Sequence, residues 1–530
     1  MTFLKKRHLS ILLIAVASIL VGTMATSSAR STRSEILRDL ERFSRVYEKI
    51  MTSHVDEQDS DELIEAAIQA MLDELDPFSA YMDEDTLEDF LTRTRGEFGG
   101  LGIVISVRDD YPTVVSPIED TPAARLGIRG GDRIVEIEGE STQGWKVEDA
   151  VDHLRGPRGT SVTIGIQRYG SDEIIPFTIV RDIIEVKSVP YWFALEGDLG
   201  YIRCTNFGEK TAEEMAAALD SLEAEGVKGL ILDLRNNPGG LLDAARDVSD
   251  LFLDPGQIIV STRGRGGVRL NEIFALSRRN HARDYPVVVM INENSASASE
   301  IVAGAVQDWD AGIVVGRNSF GKGSVQSLYP VGDTEALKLT TAKYYTPSGR
   351  CIHKDENDDR LDADTPADGL EEDAGSVPEP PEDLPVYQTL NRHRPVLGGG
   401  GITPDIIMEA DSISDAALDL ERRSAFFSFA TRLNAEREPG LDFTVDDAVI
   451  GEFRAFLVEE QIELSDEDFA ANEDYIRMAI RRDAFYERYG AKDAFRATMD
   501  RDRVLQETLK LLRGSTSLDS LFARVESLSE

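Results

Sequence analysis

The chain has 530 residues, which is enough for three or more domains and a large core. Its formal net charge of −40 argues against nucleic acid and anionic membranes as partners, and it suits either salt adaptation or an ordinary acidic secreted protein. The two cysteines, Cys204 and Cys351, form no CxxC pair or metal-ligand spacing, and whether they form a disulfide stays open.

The first 29 residues have the pattern of a secretory signal peptide. Lys5, Lys6 and Arg7 precede an apolar run over 11–21, and small residues follow as far as Ala29. An uncleaved N-terminal anchor is the alternative, because the apolar run is near the length limit for a membrane span. Either reading predicts that the rest of the chain is exported.

Residues 30–95 have a helical pattern with two apolar stripes, and the pair Asp76-Pro77 interrupts the second stripe. The members of the two stripes are Ile36, Leu40, Phe43 and Val46, then Leu63, Ala66, Ala67, Met71 and Leu72. The sequence here predicts amphipathic helices.

Residues 96–184 resemble a PDZ domain of the bacterial protease type. The resemblance rests on the loop Gly99-Gly100-Leu101-Gly102-Ile103 and on two glycine-containing segments, 120–128 and 130–139. Backbone amides of Gly99–Gly102 are suited to a peptide's terminal carboxylate, and the bound tail would add as a strand beside Ile103. A helix containing Val147 and Leu154 would wall that groove. A glycine-rich turn in a small β domain is the alternative.

Residues 185–410 alternate strands and helices, which predicts an α/β core with partly parallel pairing. Apolar runs predict buried strands at Leu230–Leu234, Val287–Ile291 and Ile313–Gly316. A polar turn, 292–299, follows the second of these and leads into a helix. A serine at such a turn would meet the free amides and positive dipole of a helix N-terminus.

Three serines occupy alternate positions in that turn. We expect Ser299 to be the helix N-cap, which leaves Ser297 just ahead of the helix as the candidate nucleophile. Lys322 lies downstream between two glycines. A lysine acts as a general base only when neutral, so burial would have to lower its pKa from about 10.4 by roughly 3 units.

The segments SASASEIVAGAVQD and VGRNSFGKGSVQ together resemble the C-terminal processing peptidases, or tail-specific proteases, which use a Ser–Lys dyad. The resemblance implies Ser297 as nucleophile, Lys322 as base and Gln326 as its supporting residue. It also implies an oxyanion hole from the amide of Gly239 or Gly240, in the stretch RNNPGGLL, and from the amide of Ala298. It implies no metal or cofactor, and in relatives the N-terminal helical region helps to form dimers.

Three alternative readings have weaker support. The spacing from Gly316 to Lys322 copies most of a phosphate-binding loop, but Gly323 stands where Ser or Thr is required, and a strand pattern follows instead of a helix. A Ser–His–Asp hydrolase would have to use His281, which no spacing supports. A catalytically silent PDZ scaffold is contradicted by the complete Ser, Lys and Gln set.

Two further regions complete the chain. An acidic insertion at 354–395 carries 13 acidic and 2 basic side chains over 354–383, which is typical of a solvated, disordered loop. Residues 411–530 are amphipathic and helical, without a motif that assigns them. They would pack on the core, extend a dimer or hold an adaptor.

The sequence therefore predicts a multidomain α/β protein with N-terminal helices, a β-rich PDZ domain, an α/β Ser–Lys protease core and a helical C-terminal region. We expect an exported serine endopeptidase that cuts proteins near unstructured C-terminal tails, with the PDZ domain recognising the tail. A homodimer or higher homo-oligomer is expected, with no nucleic-acid partner.

Overall fold

The computed structural model describes residues 33–276, 285–332, 334–354 and 384–529. The predicted signal segment, His281 and the acidic residues 355–383 lie outside these ranges. The chain divides into two compact units, Met1–Tyr81 and Met82–Glu530. No helix among the described residues is long and apolar enough to cross a membrane.

From residue 33 onward, the first unit contains two helices, α1 (33–53) and α2 (Ser60–Leu72). The Asp59 side chain caps α2 by accepting the amides of Asp61 and Glu62. The predicted apolar stripe of α1 is exposed, with Ile36 at 53% and Phe43 at 47% of their full accessibility. The helices are therefore amphipathic, as predicted, but this unit does not bury the stripe of α1.

A helix near the start of the second unit leads into the PDZ-like domain, whose main sheet is antiparallel in the order β3-β4-β5-β7-β8. Strand β6 pairs with β5, and β2 pairs with β9. The elements are β1 (Ala80–Met82), α3 (Glu84–Arg95), β2 (Glu97–Gly100), β3 (Ile103–Arg108), β4 (Tyr111–Pro117), α4 (Pro122–Arg125), β5 (Arg133–Ile137), β6 (Glu140–Ser141), α5 (Val147–Leu154), β7 (Ser161–Gln167), β8 (Ile174–Val180) and β9 (Asp182–Glu185).

The protease core is built on a six-stranded sheet in the order β10-β11-β12-β15-β16-β21, in which only β10 is antiparallel to its neighbour. Two of its strands confirm the predicted buried runs Val287–Ile291 and Ile313–Gly316. The strands are β10 (Tyr191–Leu195), β11 (Leu199–Arg203), β12 (Gly229–Asp233), β15 (Val287–Ile291), β16 (Ile313–Gly316) and β21 (Ile406–Ile407).

This sheet is covered on both faces, which explains why its central strands are uninterrupted apolar runs. In β15, Val287, Val289 and Ile291 pack in one core cluster, and Val288 and Met290 pack in the other. The first cluster contains helices α6 (Thr211–Ala224), α7 (Leu242–Ser249) and α8 (Ala298–Asp308). The second contains two helices of the C-terminal region, α15 (Arg503–Leu512) and α16 (Leu518–Ser529).

A second, antiparallel sheet in the core runs in the order β17-β18-β13-β14. Its strands are β13 (Ile258–Arg263), β14 (Arg269–Phe274), β17 (Ser324–Pro330) and β18 (Ala336–Tyr345). Within the predicted insertion, residues from 384 onward are described and form a hairpin of β19 (Val386–Gln388) with β20 (Pro395–Leu397). Both cysteines are free thiols, with Cys204 buried.

The remaining C-terminal helices form a bundle with its own apolar core, which includes stacked phenylalanines such as Phe426 and Phe453. The bundle contacts the PDZ-like domain, because the Arg108 guanidinium lies 3.8 Å from the ring centre of Phe427. The helices are α9 (Asp415–Arg422), α10 (Ala425–Arg437), α11 (Asp447–Glu459), α12 (Asp466–Ala471), α13 (Glu473–Tyr489) and α14 (Ala491–Thr498). The architecture confirms the predicted fold class, and the exact domain boundaries stay predictions.

Candidate active site

The nucleophile turn, residues 292–297, joins β15 to α8 and is fixed by hydrogen bonds of its own serines. The Ser295 hydroxyl accepts from the Asn292 amide at 2.9 Å and donates to the Leu234 carbonyl at 2.8 Å. The Ser299 hydroxyl donates to the Asn237 carbonyl at 2.8 Å. The turn is therefore tied to the loop that follows β12.

The predicted N-cap at Ser299 is wrong. Helix α8 begins at Ala298, its N-cap residue is Ser297, and Ser299 lies fully buried in the first turn. The Ser299 side chain points into the core because its hydroxyl donates a hydrogen bond to the carbonyl of Asn237, in the loop that follows β12. The candidate nucleophile is thus the residue at the helix N-terminus itself.

The backbone of Ser297 has a conformation that L-residues rarely adopt, with φ 52° and ψ −108°. Such a conformation costs on the order of 1–3 kcal/mol and persists only where the surroundings hold it. Ser297 is buried, with 8% of the residue exposed. The strain is therefore concentrated at the one serine that the sequence singles out.

Glu300 is the group that holds this arrangement, and the sequence analysis missed it. Its carboxylate is fully buried and accepts four hydrogen bonds. The donors are the amides of Ser297 (2.8 Å), Gly321 (2.7 Å) and Lys322 (2.9 Å) and the hydroxyl of Ser319 (2.5 Å). Burial raises the pKa of Glu300, against the opposing effect of these hydrogen bonds.

One oxygen of Glu300, Oε2, accepts from the amides of both Ser297 and Lys322. The two residues are 25 positions apart in sequence, and their backbones are held around a single atom. The sequence signal for Glu300 was the pattern Ser-x-x-Glu, in which a glutamate at the third helical position bonds the amide of the N-cap residue.

The 235–240 loop, which follows β12, brings two glycines against the nucleophile turn. Gly239 has φ 98°, and a Cβ there would lie 2.8 Å from Cβ of Ser297 and 2.7 Å from the Ala296 carbonyl oxygen. The Gly239 amide donates to Oδ1 of Asn237 at 2.9 Å. Gly240 has φ 146°, and a Cβ there would lie 2.2 Å from the carbonyl oxygen of Phe207. Both positions require glycine.

Lys322 lies half-buried in the loop between β16 and β17, and a strand follows it instead of a helix. This agrees with the sequence argument against a phosphate-binding loop. Gln326 lies on β17, where Nε2 donates to the hydroxyls of Ser324 (2.9 Å) and Thr340 (3.4 Å).

Tyr344 is a second residue of the site that was not among the predicted site residues. Its amide donates to the Gly323 carbonyl at 2.7 Å, next to Lys322. Burial raises the pKa of its phenol to about 12, and the Ser297 hydroxyl lies close enough to offset part of that rise. A neutral phenol therefore lies beside the candidate nucleophile.

The tail loop, Gly99–Gly102, lies where β2 leads into β3. Strand β3 is at the edge of its sheet, and Ile103 packs in the same cluster as Ala150 and Leu154 of α5. Strand β3 is thus an edge strand that lies next to α5. Leu101 is buried in the core of this domain.

Comparison with known proteins matches three parts of the chain. The model described as peptidase family S41 matches residues 198–363, a PDZ domain model matches 113–168, and the N-terminal domain of the activating protease CtpB matches 17–86. A solved photosystem II D1 C-terminal processing protease is 28% identical and covers 58% of this chain and 83% of that chain, with a TM-score of 0.36.

Two curated relatives are similar over most of their own length. The chain is 46% identical to the carboxy-terminal-processing protease of Bartonella bacilliformis over 63% of this chain and 77% of the relative. It is 35% identical to the carboxy-terminal processing protease CtpA of Bacillus subtilis over 66% of this chain and 76% of the relative. The chain belongs to the carboxy-terminal processing proteases, and it is a serine-type peptidase.

Proposed function

We propose that Ser297 is the nucleophile and Lys322 the general base of a Ser–Lys dyad. The observation that carries this proposal is the buried Glu300 carboxylate, whose Oε2 accepts the amides of both residues. A strained backbone at a helix N-terminus is where a preorganised nucleophile is expected.

In the reaction, Oγ of Ser297 attacks the carbonyl carbon of the scissile peptide, and its proton passes to the neutral amine of Lys322. The resulting ammonium returns that proton to the leaving amine as the carbon–nitrogen bond breaks, which leaves an acyl-enzyme ester. Lys322 then takes a proton from water as the water oxygen attacks the ester carbonyl carbon. It gives that proton to Oγ of Ser297 as the bond between Oγ and the acyl carbon breaks, which releases the new C-terminal acid and restores the free serine and the neutral lysine.

The amides of Gly240 and Ala298 are the oxyanion donors in this proposal. Of the two predicted glycines, Gly239 already donates its amide to Asn237, so Gly240 is the better donor. Gly239 serves instead as the small residue that lets the loop approach Ser297. Ala298 is the first residue of α8, where an amide has no partner within the helix.

Gln326 is proposed to orient Lys322. It lies on β17, four residues beyond the lysine, and its anchoring to Ser324 and Thr340 fixes its side chain on that strand.

The tail loop is proposed to bind the free C-terminus of the protein substrate. The carbonyls of Gly99, Leu101 and Gly102 accept backbone hydrogen bonds from Gly156, Ala123 and Ile118. Gly99 and Gly100 pair with β9, so the amides of Leu101 and Gly102, which lie between the strands, are the groups suited to a carboxylate. Strand β3 would then pair with the tail, Ile103 first.

Export to the periplasm or envelope is proposed from the N-terminal pattern of charge, apolar run and small residues. A homodimer or higher homo-oligomer is proposed from the exposed apolar stripe of α1. An adaptor protein on the C-terminal region is a further partner that we propose.

The test of the dyad is proteolysis of a denatured protein by three variants. Ser297→Ala, Lys322→Ala and Lys322→Arg should each abolish cleavage with the fold intact, since the dyad acts as a unit and guanidinium is not a neutral base. Lys228→Ala, at an exposed lysine, is the control. Cleavage that survives in Ser297→Ala, or that EDTA abolishes, would contradict the mechanism, and an inactive wild type would favour a silent scaffold.

A further inference from the structure

Arg235, the first residue of the 235–240 loop, is bound by two carboxylates. One belongs to Asp233, two residues before it, and the other to Asp502, 267 residues after it. Its Nη2 donates to Oδ2 of Asp233 at 2.7 Å and to Oδ2 of Asp502 at 2.7 Å, and Nη1 reaches Oδ1 of Asp502 at 3.1 Å. The Asp502 side chain is mostly buried, at 19% exposure. The contact with Asp502 is a two-bond fork, the geometry that fixes a guanidinium most firmly.

Asp502 is itself held in place. It is the N-cap of α15, where Oδ1 accepts the Leu505 amide at 3.0 Å. Val504, Leu505 and Leu509 of α15 pack in the cluster that covers one face of the core sheet. The carboxylate therefore projects from a helix end that is fixed to the sheet.

Asp233 alone cannot balance the positive charges of Arg203 and Arg235, which both contact it. It is fully buried and also binds Arg203 at 2.9 Å and the Tyr201 hydroxyl at 2.7 Å. Two guanidinium groups therefore meet one carboxylate, and Asp502 supplies the second negative charge. Buried charges are stable only when they are balanced in this way.

The loop between Arg235 and Gly240 is short and is also tied to the nucleophile turn. The Asn236 amide donates to Oδ1 of Asn292 at 2.7 Å, and Gly239 lies against Ser297. A shift of Arg235 would thus be transmitted to the glycine amides, because the next residue, Asn236, is bonded to Asn292, and the Gly239 amide is bonded to Asn237 of the same loop.

We propose that Asp502 is a positioning residue for the 235–240 loop and that it acts through Arg235. In this way α15, a helix of the C-terminal region, would hold the Gly240 amide at the correct position relative to Ser297. The inference rests on the proposed function, in which the Gly240 amide stabilises the oxyanion. It assigns to the C-terminal region a role in catalysis that its sequence did not reveal.

The test uses the full-length protein and compares Asp502→Asn, which retains an acceptor for the helix cap, with Asp519→Asn. Asp519 is an exposed residue of α16 that pairs with Arg392 and lies outside the loop network. Asp502→Asn should lower kcat by roughly 10- to 100-fold with KM within about twofold of wild type, since a misplaced oxyanion donor acts on the transition state. Asp519→Asn should match wild type.

A peptide aldehyde with a cleavable tail sequence provides the readout that a merely structural role would not change. It forms a tetrahedral adduct on Ser297, so its affinity for Asp502→Asn should fall by the same factor as kcat/KM. If Asp502 only fastens α15 to the core, the unfolding midpoint falls while kcat and aldehyde affinity of the folded protein stay at wild-type values. That result would overturn the proposal.

A double-mutant cycle keeps the inference testable if one variant is unstable. Arg235→Lys retains the charge and loses the fork, and the double variant Arg235→Lys with Asp502→Asn should be no slower than Arg235→Lys alone. Additive losses would contradict action through Arg235.

If Ser297→Ala remains active, the proposed dyad has failed whatever Asp502→Asn does. If Ser297→Ala is inactive and Asp502→Asn equals wild type, only this inference has failed.

Discussion

The nucleophile turn and the tail loop are both short segments of small residues next to a strand, but they are held in different ways. The end of the nucleophile turn, residues 295–297, is buried, and a carboxylate with four donors, together with two serine hydroxyls, fixes it. The tail loop is held mainly by backbone bonds and by the Thr121 hydroxyl, which donates to the Gly102 carbonyl at 3.0 Å.

The difference follows from what the proposed function requires of each site. Bond cleavage requires atoms held to within a fraction of an ångström, so strain at Ser297 is retained and balanced by buried polar groups. Tail binding by strand addition requires only free amides and an open strand edge, which β3 provides. We therefore expect changes at the nucleophile turn to lower kcat, and changes at the tail loop to raise KM.

The largest effect is expected from Glu300→Ala. Three amides and a hydroxyl would lose their shared acceptor in a buried site, so activity should fall by at least about 1,000-fold and the free energy of unfolding by roughly 3–5 kcal/mol. Kinetics on a denatured protein and urea unfolding measure both. Glu293→Ala is the matched control, since Glu293 lies in the same turn but is exposed and pairs with Arg317. Near-normal kcat in Glu300→Ala would show that the carboxylate does not organise the site.

Gly239→Ala should have the next largest effect. A Cβ at this position would press on Ser297 and on the Ala296 carbonyl, so we expect kcat to fall by about 100-fold and KM to change little. Gly226→Ala is the control, because Gly226 has a similar positive φ, 86°, but open space around the position of the new Cβ. It therefore measures the effect of backbone strain without a steric contact. Equal kinetic losses in the two variants would mean that contact with the nucleophile is not the cause.

The tail loop should show a smaller effect, confined to recognition. Amidating the C-terminus of a peptide substrate should raise KM by about 10-fold, because we propose that the loop amides bind the carboxylate. Gly102→Ala should abolish the difference between free-acid and amidated substrates, since its Cβ would lie 2.2 Å from Cβ of Thr121. Gly144→Ala, in open space in the same domain, should retain it. Equal cleavage of both substrates by wild type would remove the tail-binding proposal.

Features that depend on local sequence could be predicted, whereas features that depend on contacts between distant residues could not. The strands Val287–Ile291 and Ile313–Gly316 were predicted with their exact bounds, because buried parallel strands are short apolar runs between polar turns. The N-cap was misplaced because Ser297 and Ser299 are equivalent locally, and only the Asn237 carbonyl, 62 residues away, draws Ser299 inward.

Contacts across long sequence separations account for what the sequence did not predict. Glu300 carried a local signal, but its bonds to Gly321 and Lys322 depend on how the core folds. The pairing of Arg235 with Asp502 joins residues 267 positions apart, and no spacing or periodicity indicates it. The Ser297–Lys322 pairing was reached through family resemblance, and its role in catalysis stays a prediction.

The smallest effect on activity is expected at the contact between the C-terminal bundle and the PDZ-like domain. Glu487 of α13 packs against Gly130, where a Cβ would lie 2.1 Å from its Cγ. Burial raises the pKa of Glu487 to about 7, and Asp483 and Asp132 add to the rise. In the folded protein this carboxyl therefore keeps its proton over a range in which the unfolded chain, with an ordinary pKa of 4.5, has lost it.

The free energy of unfolding should accordingly fall as pH rises from about 4.5 to about 7. Over this range Glu487 ionises in the unfolded chain while it is still protonated in the folded protein, and this favours the unfolded state. Between pH 5 and pH 8 the contribution of this group is a loss of roughly 2–3 kcal/mol in the free energy of unfolding. Glu487→Gln should remove that part of the pH dependence and leave cleavage within about twofold of wild type. Urea unfolding at both pH values measures it, with Glu436→Gln, an exposed glutamate of α10, as the control. An unchanged pH dependence in Glu487→Gln would mean that this carboxyl is not the titrating group, and the stability of the contact would then rest on apolar packing such as that of Phe427.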